Sequence, residues 1–73
     1  MQRRKRLIFW RIDQRLRQRD VADELGITPV HYSNLERGIT DPSYDLLLRF
    51  QRVFNRNDVL ELFEKGEDLE WQQ

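Results

Sequence analysis

Eight of the thirteen basic residues stand within the first twenty positions: Arg3, Arg4, Lys5, Arg6, Arg11, Arg15, Arg17 and Arg19, against only Asp13 and Asp20. Eight minus two gives that segment +6, and the rest of the 73-residue chain, with five basic and eleven acidic residues, carries −6. A neutral chain with such a charge dipole can turn a positive face to phosphates while its acidic pole stays away. On charge alone, a solvated helix with ordinary surface charge is the alternative. Other chemistry finds little material. The sequence has no cysteine and one histidine, His31, so a disulfide framework and a zinc ligand set are excluded. There is no nucleophile with its base, no paired carboxylate in a predicted cleft and no phosphate-cradling glycine loop, so an enzyme is rejected and neither cofactor nor small-molecule substrate is expected. Amide and hydroxyl side chains remain, among them Gln18, Ser33 and Asn34. The asparagine amide offers a donor and an acceptor together.

These side chains need rigid elements to aim them, and the chain spells out helices. Apolar alternation and Asn-Gly or Asp-Gly turns are lacking. A first helix is predicted over roughly 3–14, with the wide apolar face Leu7, Ile8, Phe9, Trp10 and Ile12, wide enough that some of it should stay exposed as a partner or dimer surface. A second runs about 18–25 with Val21, Ala22 and Leu25 inward, and Gly26 stops it by entering the left-handed region. Ile27 follows as an apolar anchor, then Thr28 caps and Pro29 opens a third helix over 29–37, which Gly38 ends. Tyr32, Leu35 and Glu36 take its inner side, while Val30, His31, Ser33, Asn34 and Arg37 share the other. Ser43 can cap a fourth helix with the buried stripe Leu46, Leu47, Phe50, Val53 and Phe54, and Asn57 can cap a fifth bearing Val59, Leu60, Leu62 and Phe63. The expected fold is therefore all-α, a compact bundle of about five short helices. Residues 1–66 form one domain, and 67–73, beginning Glu67-Asp68-Leu69-Glu70-Trp71, form an acidic carboxyl-terminal tail. Chains this short bury only ~60–65% of their unfolded surface, so modest stability is expected unless the chain dimerises.

Helix, glycine turn, helix is the geometry in which a second helix enters the major groove while the first crosses the backbone. The run LRQRDVADELGITPVHYSNLERGITDPSYDLL from Leu16 resembles the phage repressor and Cro-type helix-turn-helix family, the likeness covering about Leu7 to Phe54. Its elements are Gln18 opening the second helix, Ala22 where two helices touch, Leu25-Gly26-Ile27 at the turn, Leu35-Glu36-Arg37-Gly38 at the exit, and Pro42-Ser43 before the fourth helix. The resemblance implies a lambda-repressor-like DNA-binding domain, with helices two and three as the helix-turn-helix. By that likeness Pro29, Val30, Ser33 and Asn34 read base edges: asparagine can pair bidentately with adenine and Val30 can pack on a thymine methyl. Pro29 lacks an N–H and a polar side chain, so reading there is apolar or absent. Gln18, Arg17, Arg37 and the basic run Arg3, Arg4, Lys5 and Arg6 are the expected phosphate contacts, the run as a flexible arm. His31 is more often a bystander than a contact at such a position. An ion pair between Arg11 and Glu36, buried or half-buried, is also implied.

The chain departs from the family pattern at several points. Arg17 stands where threonine often caps, Arg15 where glycine is frequent, and Asp41 in a loop that is often basic. Family members commonly dimerise through the fifth-helix end, and there the apolar residues are displaced by about one position. The expected function is a sequence-specific regulator of transcription, a repressor or Cro-like protein, acting as a homodimer on a palindromic duplex operator. The alternative is a protein-interaction module on the same fold, such as an antitoxin, antirepressor or recruitment factor. A cytoplasmic location is expected: no apolar run approaches the ~18 residues of a membrane span, and the four from Leu7 to Trp10 are too few for a signal peptide.

Overall fold

The computed structural model describes residues 2–66; Met1 and the acidic tail 67–73 lie outside the described residues. Five helices follow one another: α1 Lys5–Asp13, α2 Gln18–Leu25, α3 Pro29–Arg37, α4 Tyr44–Val53 and α5 Val59–Leu62. Local chemistry sets the ends of the middle three. Gly26 (φ +71°) and Gly38 (φ +78°) close α2 and α3 in the left-handed conformation. The Thr28 hydroxyl accepts from the His31 N–H at 3.0 Å, and the Ser43 hydroxyl from the Leu46 N–H at 3.1 Å. Each thereby satisfies a helix-end donor that has no partner within the helix.

The core joins all five helices: Leu7 and Trp10 of α1, Val21, Ala22 and Leu25 of α2, Tyr32 and Leu35 of α3, Leu46 and Phe50 of α4, Val59 and Leu62 of α5, with Phe63 just beyond. Phe50 lies at the centre of an aromatic cluster, its ring centroid 4.9 Å from Trp10, 4.8 Å from Phe54 and 5.2 Å from Phe63, in tilted or edge-on contacts that favour the ring quadrupoles. Ala22, fully buried, lets α2 and α3 pack closely; a larger side chain would force them apart.

The wide apolar face of α1 stays partly exposed, as expected, and the buried stripe expected of α4 is corrected at Val53. Within α1 only Leu7 and Trp10 are buried, Ile8 is half-buried, and Phe9 and Ile12 project outward. Val53 at the end of α4 and Leu60 of α5 are exposed as well. A helix hides one stripe, and residues a third of a turn away from it face solvent. Asn57 does not cap α5. Asp58 takes that position, and its carboxylate is engaged by Arg56 at 2.7 and 2.9 Å instead of by backbone.

The turn that follows α1 holds a left-handed residue that is not glycine. Arg15 has φ +60°, and beside it the Leu16 N–H reaches back to the Arg11 carbonyl at 3.1 Å. Left-handed backbone costs an ordinary residue roughly 1–2 kcal/mol, and glycine escapes that cost but gives up some through unfolded-state entropy. Arg15→Gly is therefore expected to raise stability by about 0.5–1 kcal/mol in urea or thermal unfolding; a loss would show that the arginine side chain stabilises this turn.

Among the described residues no helix is long and apolar enough to cross a membrane, and no group of three His, Cys, Asp or Glu side chains could hold a metal ion.

Candidate nucleic-acid interface

Two short helices, α2 and α3, meet across Gly26, Ile27 and Thr28. The outer side of α3 carries the four residues expected to read bases. Pro29 and Val30 are exposed, Val30 at 70%, whereas Ser33 and Asn34 are half-buried. Arg37 is exposed at the last turn, and His31 is exposed near the first. Neither the Asn34 amide nor the Arg37 guanidinium forms a hydrogen bond among the described residues, which leaves both available to a ligand.

The inner side of α3 is held by a polar cluster. Arg11 Nε donates to Glu36 Oε2 at 2.6 Å and its Nη2 to Oε1 at 3.3 Å, while Nη1 donates to the Leu16 carbonyl at 2.9 Å. Gln18 Nε2 gives a further hydrogen bond to Glu36 Oε1 at 2.9 Å. The Glu36 side chain is 3% exposed and that of Arg11 14%. Burial disfavours the Arg11 charge, but the hydrogen bond and charge of Glu36 outweigh it and hold the guanidinium above its ordinary range. Burial and the same carboxylate push the neighbouring Tyr32 phenol far up. One carboxylate thus fixes α1, the start of α2 and the inner side of α3 relative to one another.

Gln18 opens α2, where backbone N–H groups face out of the helix end and suit an anion. Its side chain is committed to Glu36, so it presents a fixed amide edge instead of a mobile one. Arg17, just ahead of it, pairs with Asp20: the backbone N–H donates to Oδ2 at 2.8 Å, Nε to Oδ2 at 3.1 Å and Nη2 to Oδ1 at 3.1 Å. The Asp20 carboxyl sits below the usual range because of those hydrogen bonds. An arginine cannot accept at a helix N-terminus as threonine does, and Asp20 supplies the reciprocal half of a capping box instead.

The basic amino end is not a free arm, and Arg4 is the clear correction. Its side chain is 3% exposed. Nε donates to the Phe63 carbonyl at 2.7 Å, Nη1 to the Leu35 and Thr40 carbonyls at 2.6 and 2.8 Å, and Nη2 to Asp41 Oδ1 at 2.8 Å. Four of its five N–H donors are thus taken within the protein, and the buried side chain is not offered to a phosphate. The reason is visible in the spacing: Arg4, Leu7 and Arg11 stand at i, i+3 and i+7, one inward face of a helix. Arg6 is exposed with Glu64 at 3.6 Å, Lys5 is half-buried, and Arg3 is exposed while its carbonyl accepts from the Gly66 N–H at 3.1 Å. Among the described residues Arg4, Arg6, Arg11 and Arg17 are held in ion pairs, and the positive pole is weaker than its formal charge. Two contributors escape the sequence reading. Asp41 joins Arg4 to Lys65, whose Nζ is 3.3 Å away. Arg49 of α4 donates to the Leu25 carbonyl at 2.7 Å and so neutralises the carbonyl end of α2.

A family model described as Helix-turn-helix matches residues 7–61, from the third residue of α1 to the third of α5. No curated protein and no solved structure matches the chain.

Proposed function

The chain belongs to the helix-turn-helix family, a family of non-catalytic DNA-binding domains with regulatory roles, and from that premise we propose a repressor or Cro-like protein that binds a palindromic operator as a homodimer. In this reading α3 lies in the major groove. Val30, Ser33 and Asn34 face base edges, the start of α2 with Gln18 meets the phosphate backbone, and Arg37 meets it at the far end of α3. Arg17 reaches phosphate by sharing or exchanging Asp20. The observation that carries the proposal is the contrast between the two sides of α3: the inner side is locked through Glu36, and the outer side presents Asn34 without a partner.

Selection of bound sequences from random duplex, followed by affinities for every single-base change in the selected site, tests this. Asn34→Ala is expected to cost ~1–3 kcal/mol on the preferred site and to relax preference at one base pair per half-site, with folding nearly unchanged. Gln18→Ala is expected to weaken good and poor sites alike, because phosphates carry no sequence. An Asn34→Ala profile of unaltered shape would exclude reading through that residue. An interaction module on the same fold would retain no duplex at all.

The proposed seat for a second copy is the shallow groove of about 230 Å³ between α4 and α5, lined by Tyr44, Leu47, Leu48, Val59 and Leu60. Tyr44 and Leu60 stand 73% and 69% exposed there, apolar surface that a partner would cover. Protection of two half-sites on one duplex supports the dimer, and a single protected half-site contradicts it.

A further inference from the structure

The Arg4 side chain is buried, 3% exposed, and it holds the exit of the helix proposed to read DNA. Its backbone N–H donates to the Glu36 carbonyl at 2.8 Å and its Nη1 to the Leu35 carbonyl, two carbonyls of the last turn of α3. The same guanidinium binds the Thr40 carbonyl and Asp41 in the following loop and the Phe63 carbonyl beyond α5. Its own carbonyl accepts from the Ile8 N–H at 3.1 Å and begins α1. A buried positive charge thus sits at the negative end of α3, tied to α1 on one side and to the end of α5 on the other. The other polar support of α3, Glu36 with Arg11 and Gln18, holds the same turn through a side chain on its inner face, whereas Arg4 holds the backbone carbonyls at its end.

We propose that Arg4 is a positioning residue for sequence reading: it sets the tilt of α3 by clamping the carbonyls of its last turn to α1, α5 and the 39–41 loop. This rests on α3 being the reading helix. Lysine retains the charge but not the planar fork that reaches three carbonyls and a carboxylate at once. Arg4→Lys is therefore a loosening of the clamp, and Arg4→Met is its removal.

Wild type, Arg4→Lys, Arg4→Met and the exposed neighbour Arg3→Ala are compared on the selected site and its single-base variants, across a range of salt. A residue that only stabilises the fold lowers the active fraction by one factor for every site, so ratios of affinity between sites are blind to it. The expected result for Arg4→Lys is an about tenfold fall in the ratio between the selected site and its variants at positions read by α3, the size of one good base contact. The slope of log affinity against log salt stays that of wild type. A slope reduced by about 0.9 with ratios preserved means a lost phosphate contact and overturns the proposal; unchanged ratios in folded variants overturn it too. Where neither Arg4 variant folds, Asp41→Asn weakens one of the guanidinium's contacts and carries the same two readouts, with a smaller loss of ratio expected. Should wild type retain no duplex, the DNA reading fails by itself, and the amide chemical shifts of Arg4→Lys decide the clamp. Changes extending along α3 to Val30 support it, and changes confined to residues 35–41 overturn it.

Discussion

Alanine at Gly38 is expected to cost about 3–4 kcal/mol of folding stability, and alanine at Gly26 about 1 kcal/mol. The two glycines have nearly the same backbone, φ +78° and +71°, so the intrinsic cost of a left-handed alanine is common to both. Their surroundings differ. A Cβ on Gly26 would meet only Arg49 Nη1, at an ordinary 3.7 Å. A Cβ on Gly38 would lie 2.0 Å from the carbonyl oxygen of Gln2 and 3.1 Å from its carbon, and backbone cannot step aside as a side-chain tip can. The 2–4 segment must then lift off the end of α3, and it takes the Arg4 hydrogen bonds with it. Urea unfolding of both variants checks this. Equal losses would mean that the amino-terminal segment yields without cost.

The same segment shows where sequence reasoning stops. The limits of α2, α3 and α4 are legible because short-range chemistry sets them: Gly26 and Gly38 at helix exits, Thr28-Pro29 and Ser43 at entrances. Arg4 is not legible in that way. Within Arg3-Arg4-Lys5-Arg6 the four cations look alike, and the partners that single one out lie 31 to 59 residues further along. The i, i+3, i+7 spacing with Leu7 and Arg11 carries the hint, but a burial pattern that admits only apolar residues discards it. α5 is hard to place for a related reason. A single turn over Val59–Leu62 has too few residues for periodicity to define a face, and Asn55, left-handed at φ +52°, reorients the chain just before it. For the candidate interface, the family likeness supplies the roles of Pro29, Val30, Ser33 and Asn34. The residues themselves show only that these positions share a side of α3 away from Tyr32 and Leu35.

Removing Arg11 is the second large effect. Arg11→Ala is expected to destabilise the fold by ~3–5 kcal/mol, because it strands the Glu36 carboxylate in the interior with one amide donor from Gln18 in place of a bidentate guanidinium. The reverse change is milder. Glu36→Ala leaves Arg11 with its bond to the Leu16 carbonyl and 14% of its side chain in contact with water, so a loss of about 2–3 kcal/mol is expected. Once one partner is gone the other has little left to lose, and the double variant should be more stable than the sum of the two losses by at least ~1.5 kcal/mol. Additivity within about 0.5 kcal/mol would refute the coupling. The pair Arg17 and Asp20 is the internal control. Its charges are 3.1 Å apart against 2.6 Å for Arg11 and Glu36, but it lies in water, where Coulomb attraction is screened and side-chain entropy opposes it, and its cycle should show no resolvable coupling. Glu36→Ala also releases Gln18, whose amide then samples several rotamers at the start of α2. Its DNA affinity should therefore fall for selected and altered sites by the same factor, the pattern of a weakened phosphate contact, while the Asn34 position keeps its preference.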